Sequence, residues 1–317
     1  MKSLIIGITG QTAAYVAKEL LNQGFDVSGT SRDKRRANLA NLLKVGVNPD
    51  KLNLFSLDPA DPRQVFSLLA ANKYDFIINL GGQTSVGLSF EQPAQALDSI
   101  STSCLNFIEA LKALRLNTIY FNAASSECFG NTGDIPATEE TPFRPNSPYA
   151  VAKTSAFHLT RLAREAYGLN AFSGILSNHE SPLRGNEFVT SKIIQNLRGI
   201  KEGKEPRLVL GNLRTIRDWG FAPDYARAIV QMLSSSLMED VIIATGESHS
   251  LLDFINAAVE ALDFKDKIII DQDQSLIRPL DVEVCNLNPL KINRLIGWSP
   301  SCSFKEMVTK LAYNRLF

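Results

Sequence analysis

The run from Ser3 to Ala13, SLIIGITGQTA, decides how this chain is read. Its first part, SLIIGIT, is short, apolar and rich in isoleucine, as a buried strand requires. AAYVAKELLNQG (13–24) then repeats apolar residues at helical spacing and closes on Gly24. Gly7 and Gly10 lie between the two, with Ala13 as a third small residue. A tight turn of this kind lets backbone N–H groups, Gln11 and Thr12 among them, and a helix N-terminus approach a pyrophosphate. A glycine turn alone is weak evidence; a strand before it and a helix after it make it a nucleotide-binding turn.

The same alternation continues. FDVSGTSR (25–32), LNLFSLD (52–58), DFIINLGG (75–82) and TIYFNAASS (118–126) read as strands. PRQVFSLLAANK (62–73) and ALDSISTSCLNFIEALKAL (96–114) read as helical segments between them. Repeated β-α units with nearly continuous apolar strands predict an α/β fold, a Rossmann-type doubly wound parallel sheet covered on both faces. A long helix is expected from Tyr149 to about Tyr167, then the strand NAFSGILS (170–177). From Asn178 the texture changes to loops rich in Asn, Arg, Gly and Pro, with short helices. The expected division is a Rossmann domain over 1–172 and about 211–248. A smaller, sequence-interleaved C-terminal substrate lobe takes about 173–210 and 249–317.

Bulk composition narrows the function. The chain has 317 residues, 33 basic and 33 acidic, for a formal charge of zero. That balance argues against nucleic acid or an anionic membrane surface as partner. No apolar run approaches the roughly 20 residues that span a bilayer. MKSLIIGITGQT runs into the glycine turn rather than a cleavage site, so a cytoplasmic address is expected. Cys104, Cys128, Cys285 and Cys302 are scattered without metal-ligand spacing, so they read as reduced and structural, and no metal is expected.

The second strand points to the cofactor. An NAD site carries an acid there for the ribose 2′-OH; this chain has Ser31 and Arg32, and an arginine pairs with a 2′-phosphate. NADP is therefore expected. Asp58, after the third strand, is expected either to meet the adenine amino group or to cap the next helix. Leu80 is counted with the cofactor site.

SPYAVAK (147–153) sets Tyr149 and Lys153 four apart, on one face of a helix. A nearby ammonium lowers a phenol's pKa, so the tyrosine can exchange a proton with a sugar hydroxyl while hydride leaves carbon. NAASSECFGN (122–131) adds Ser125 and Glu127, two apart and so on one side if strand geometry continues. A buried carboxylate there is costly unless it is used. Reduction and epimerisation need the tyrosine, lysine and serine; an elimination also needs a base. Oxidation at C4 acidifies C5, Glu127 takes that proton, and the C6 hydroxyl leaves as water.

Together these residues resemble the GDP-mannose 4,6-dehydratase family, extended short-chain dehydrogenase/reductases. The likeness runs through INLGGQTSVGLSFEQP, SSECFG, SPYAVAK, NHESP, FVTSKI, RDWG and RPLDVEV. It implies a GDP-sugar substrate, Ser125 in place of the family's catalytic threonine, Glu127 as base, and Tyr149 with Lys153 as redox pair. It further implies Asn178 near the pyrophosphate, Val189 in the substrate site, and Lys192, Arg217 and Arg278 as phosphate or nucleotide partners. His179 is expected to be structural. A homodimer is implied, possibly a tetramer. The chain departs from the family at Ala13, Ser85, Cys128, Phe129, Leu183 and 214–216; Ser85 is expected to widen the sugar pocket for a related GDP-sugar such as a heptose. An NADPH-dependent reductase or an epimerase of the same fold is the alternative enzyme, and a non-catalytic NADP sensor the alternative of another class.

Overall fold

The computed structural model describes residues 1–204, 206–235, 237–264 and 268–317. Its main sheet is built from β1 (Lys2–Ile6), β2 (Asp26–Ser31), β3 (Asn53–Ser56), β4 (Phe76–Asn79), β5 (Ile119–Ser125) and β6 (Ala171–Leu176). A late strand, Val241–Ile243, completes it in the order late strand–β6–β5–β4–β1–β2–β3, and every pair is parallel. The order reverses between β1 and β4, which is the switch point of a doubly wound sheet.

Helices α1 (Gln11–Asn22), α2 (Ala40–Lys44), α3 (Pro62–Ala71), α4 (Val86–Glu91), α5 (Pro93–Leu97), α6 (Ser103–Ala113) and α7 (Pro148–Tyr167) form the crossovers. Successive strand residues face opposite ways, so the sheet feeds two cores. Ile5, Ile78 and Phe121 pack with α1 on one face, while Leu4, Ile6, Ile77 and Tyr120 pack with α3, α6 and α7 on the other. Each such side chain, fully buried, stabilises the fold by about 1.5–3 kcal/mol before entropy is counted. The helical stretch expected over 96–114 is interrupted by a widened turn at Asp98–Thr102. There Ser99 Oγ accepts from Gln83 N at 3.2 Å and Ser101 meets Ser155 at 2.7 Å. Side-chain bonding thus accompanies the bulge.

Beyond β6 the chain builds β7 (Asn178–Glu180), α8 (Val189–Lys201), β8 (Leu208–Leu210) and β9 (Ile216–Phe221). Helix α9 (Ala222–Ser234) then returns to pack on α1, and β10 (Val241–Ile243) is the late strand of the main sheet. The last segment holds β11 (Ser248–Ser250), α10 (Leu251–Ala261), β12 (Ile270–Gln272), β13 (Val284–Cys285), α11 (Leu290–Ile296) and α12 (Phe304–Ala312). Strand β9 lies between β11 and β13 and also pairs with β7, while β8 pairs with β12. Ile193, Leu197, Trp219, Phe254, Met307 and Leu311 form a separate core under these strands. Sheet membership thus carries the first layer through Leu176 and gives Ile216–Phe221 to the smaller sheets.

Asp224, fully buried in the first turn of α9, fastens the last segment to the first layer. Its carboxylate accepts from Ser301 N at 3.0 Å, Ser301 Oγ at 2.8 Å and Cys302 N at 3.1 Å, and pairs with Arg227.

Candidate active site

Because the strands of the main sheet are all parallel, their carboxyl ends share one edge. Gly7 follows β1, Arg32 follows β2, Asp58 lies two residues past β3, Leu80 follows β4, Ser125 ends β5 and Asn178 lies just past β6. Gly7 has φ +79°, and a Cβ there would lie 2.9 Å from the Cα of Gly81. Neither conformation nor space admits a side chain at that turn. Gly10 precedes α1, and no side chain caps that helix. An open helix N-terminus beside a close backbone turn fits a dinucleotide pyrophosphate. The side chains of Gln11 and Thr12 are engaged elsewhere. Gln11 Nε2 donates to His179 O at 2.9 Å, its Oε1 accepts from Ser181 Oγ at 2.8 Å, and Thr12 Oγ1 lies 2.7 Å from His179 Nε2.

Arg32 is exposed and has no ion pair among the described residues, whereas Asp33 pairs with Arg36 at 3.8 Å. Asp58 accepts from Ala60 N at 3.0 Å; the cap of α3 is Asp61, so the capping role left open for Asp58 is overturned. Ser85 caps α4 by accepting from Leu88 N at 3.2 Å. Its oxygen therefore already has a partner, as a helix-capping hydroxyl does. A shallow cleft of about 540 Å³ between β3 and α3, lined by Ser56, Asp61 and Gln64, contains none of the residues expected to bind.

Helix α7 begins where Ser147 Oγ accepts from Ala150 N at 3.1 Å and Pro148 takes the first helical position; it ends at Gly168 in the left-handed region. Serine cap, early proline and terminal glycine each suit the backbone at those positions. That places Tyr149 and Lys153 one turn apart, both buried against the sheet. Lys153 Nζ donates to Ala123 O at 2.7 Å, and burial pulls its pKa down to about 8. Burial also pushes the Tyr149 hydroxyl above its ordinary value, a hydrogen bond with Ser125 opposing this in part. In the protein alone burial sets the direction of the phenol's shift. The ammonium is 5.9 Å from the ring centre and directed at a carbonyl. Desolvation outweighs it.

Glu127 is not a strand residue. Strand β5 ends at Ser125, and Ser126–Phe129 form a tight helical turn that Ser125 caps by accepting from Glu127 N at 3.3 Å. The turn still sets the carboxylate within electrostatic reach of Tyr149, whose titration it influences. Opposite it, Arg217 of β9 is 6% exposed, with Nε 3.7 Å from Glu127 Oε1 and Nη2 3.5 Å from Asp281 Oδ1. Arg278 reaches the same Asp281 oxygen at 3.5 Å. The structure thus joins Glu127, Arg217 and Arg278 into one charged chain. Asn178 pairs with Trp219 through the backbone, Val189 opens α8 and is half-buried, and Lys192 is exposed in that helix's first turn.

Two features escape the sequence reading. Arg184 lies in the loop before α8, stacked on Phe188 at 3.7 Å with Nε 3.4 Å from the buried Glu180. Its charge acts on both Tyr149 and His179. A lone arginine in a Pro/Gly loop carries no periodic signal, so only the folded loop reveals it. Asp281 is the second; it appears in RPLDVEV as an ordinary loop carboxylate. His179 is structural: Nδ1–H donates to Ser177 O at 2.8 Å, Nε2 accepts from Thr12, and the ring stacks on Tyr225 at 4.7 Å between centres.

A glycine turn at the switch point, a buried Tyr–Lys pair on the helix after β5 and a second, smaller lobe define an extended short-chain dehydrogenase/reductase. Solved structures agree on the fold. UDP-glucose 4-epimerase of Thermus thermophilus in complex with NAD superposes with a TM-score of 0.86 at 23% identity, over 99% of this chain and 98% of that one. The RMD protein of Pseudomonas aeruginosa complexed with NADPH gives 0.79 at 20% identity, over 100% and 99%. The GDP-mannose 4,6 dehydratase family model matches residues 4–311. GDP-mannose 4,6 dehydratase 2 of Arabidopsis thaliana is 38% identical over 315 residues, 96% of this chain and 84% of that protein. The chain belongs to the GDP-mannose 4,6-dehydratase family.

Burial and the Arg184 charge hold His179 at a pKa of about 4, against 6.5 when exposed. The neutral ring is the one that folds, so this stability is complete above pH 6.5 and is lost as pH falls from there to about 4. The loss amounts to roughly 3 kcal/mol at most. Urea unfolding at several pH values is expected to show this slope in the wild type and its disappearance in His179→Gln; equal slopes would remove the assignment.

Proposed function

We propose that the protein is a nucleotide-sugar 4,6-dehydratase acting on GDP-mannose or a close relative, with NADP as cofactor. Family membership supports the reaction class, and the position of Glu127 in the turn that follows β5, within electrostatic reach of Tyr149, carries the mechanism. The glycine turn and Arg32 would hold the dinucleotide. When bound, the nicotinamide supplies a hydride site that takes hydrogen from C4 and returns it to C6.

The chain's own residues handle the protons. Ser125 bonds the sugar O4 and Tyr149 takes the O4 proton as C4 becomes a ketone; the Lys153 ammonium favours the phenolate that this requires. The C5–H bond then breaks, its proton passing to Glu127 and its electron pair delocalising into the C4 carbonyl. The C6–O bond breaks next, the hydroxyl leaving as water with the proton from Glu127. A solvent-derived proton finally returns to C5. Burial raises the Tyr149 pKa in the protein alone, so the phenol must release its own proton before it takes that of O4, which the Lys153 ammonium favours.

We assign the main sheet and its helices to the cofactor, and the β7–β9 and C-terminal segments to the nucleotide sugar. Arg217, Arg278 and Lys192 would meet the diphosphate. The neighbouring cleft of about 710 Å³, lined by Asn212, Arg214, Gln272, Gln274 and Glu283, would take the nucleotide. The absence of an acid at the end of β2 and the exposed Arg32 favour NADP over NAD. Four free, buried cysteines suit a reducing, cytoplasmic compartment. Among the described residues no helix is long and apolar enough to cross a membrane. We place a homodimer contact on the exposed Leu105 of α6 and Val151 and Leu162 of α7.

GDP-mannose incubated with the protein and NADP⁺ in deuterated water should lose one water and gain deuterium at C5 by mass spectrometry. Glu127→Gln should slow water loss by about 10²–10⁴-fold while sparing cofactor binding, and Tyr149→Phe should block the first hydride transfer. Undiminished water loss in Glu127→Gln would sink its role as base. Arg32→Ala should weaken NADP by about tenfold and NAD little; an equal effect on both removes the 2′-phosphate contact. Light scattering should show a dimer that Leu162→Glu dissociates, and a monomeric wild type would refute the helix face as an interface.

A further inference from the structure

We propose that Arg217 is a positioning residue that couples the charge of Glu127 to the diphosphate end of the substrate, an inference resting on the reading of the site above.

Arg217 is held rigidly. It projects from the centre of the smaller sheet, and Nη1 donates to Ile216 O at 3.0 Å and Glu283 O at 3.4 Å. That leaves Nε toward Glu127 at 3.7 Å and Nη2 toward Asp281 at 3.5 Å, so one buried cation serves two carboxylates from different parts of the chain. Arg278, at 37% side-chain exposure, extends the row outward through Asp281. Diphosphate binding is proposed for Arg217 and Arg278, and proton removal for Glu127; these functions meet in a single guanidinium.

Of the titratable groups around Glu127, two thiols and a phenol are uncharged near neutrality, while the Lys153 ammonium, the Arg184 guanidinium and the Asp281 carboxylate paired with Arg217 are charged. Burial pushes the thiol of Cys128, on the same turn, up to about 11 and that of Cys285, on β13, up to about 12. The Tyr149 phenol on α7 is likewise held in its neutral form. Lys153, one turn farther along α7, points at Ala123 O. Arg184 acts on Tyr149 and is paired with Glu180. Among the described residues, Arg217 is the cation within ion-pair distance of Glu127.

A cation this close stabilises a carboxylate and so weakens it as a base. A diphosphate on Arg217 offsets that positive charge. Glu127 then holds a proton more tightly when the substrate's diphosphate is seated, and its basicity rises where C5 is to be deprotonated. Binding reciprocity requires the converse: protonating Glu127 tightens the diphosphate. A coupled shift of one pH unit appears as up to about a tenfold gain in affinity at low pH.

The test uses cofactor-loaded Tyr149→Phe protein, which stops turnover, titrated calorimetrically with GDP-mannose in two buffers of different ionisation heat. GDP-mannose is a diphosphate diester and does not itself titrate in this range. Between about pH 4 and 6, where carboxylates titrate, binding should take up a fraction of a proton. Adding Glu127→Gln should abolish the uptake while binding persists. Adding Arg217→Lys should preserve it and Arg217→Gln should remove it; if the Arg217 variants fail to fold, the Glu127 arm decides alone. Binding without uptake, or uptake unchanged by Glu127→Gln, overturns the coupling and leaves the dehydratase reading intact. No binding of GDP-mannose at all overturns the substrate reading and the coupling with it.

Discussion

Parallel pairing of the main-sheet strands is the constraint on which the rest of the molecule depends. A parallel sheet needs crossover helices on both faces, so each strand must be buried on two sides and each carboxyl end must open into a loop at the same edge. Gly7, Arg32, Leu80, Ser125 and Asn178 are far apart in the chain and arrive together for that reason alone. The edge is also where polar groups escape the two apolar cores, and so where chemistry can be placed without burying an unpaired charge.

The smaller sheets bring further residues to that edge. Strand β9 carries Arg217 to Glu127, and β7 carries His179 to Thr12 at the start of α1. His179 is a strut between layers: its neutral ring accepts from one side and donates to the other, and burial keeps it neutral. The same desolvation keeps two thiols and the phenol uncharged around Glu127, and among the described residues the cation within ion-pair distance of it is Arg217. Low charge density and high burial therefore act together. They make a single ion pair matter more than it would at the surface.

Much of this is local enough to read directly. The Tyr149–Lys153 pair follows from helical period, with Ser147 and Pro148 marking the helix start. The glycine turn follows from a strand, two glycines and a helix in succession. Glu127 is a different case. Strand alternation predicts its side, yet the strand stops at Ser125 and a tight turn presents the carboxylate. Similarly, a lysine four residues from a tyrosine suggests a lowered phenol pKa, but helical spacing says nothing of how deeply the pair is buried. Arg184 and Asp281 sit in irregular loops, where no periodicity reports the direction of a side chain.

By itself, then, the sequence determined the alternation of strands and helices, the glycine turn after β1, the Tyr149–Lys153 pair on α7 and the family. These rest on spacing within a few residues, where backbone geometry alone sets what faces what. Tertiary structure decided which charges meet. Glu127 and Arg217 are ninety residues apart, and Arg217 and Asp281 more than sixty. Their pairing depends on how two sheets from different stretches of chain are docked, and on the water excluded between them, neither of which is a local property.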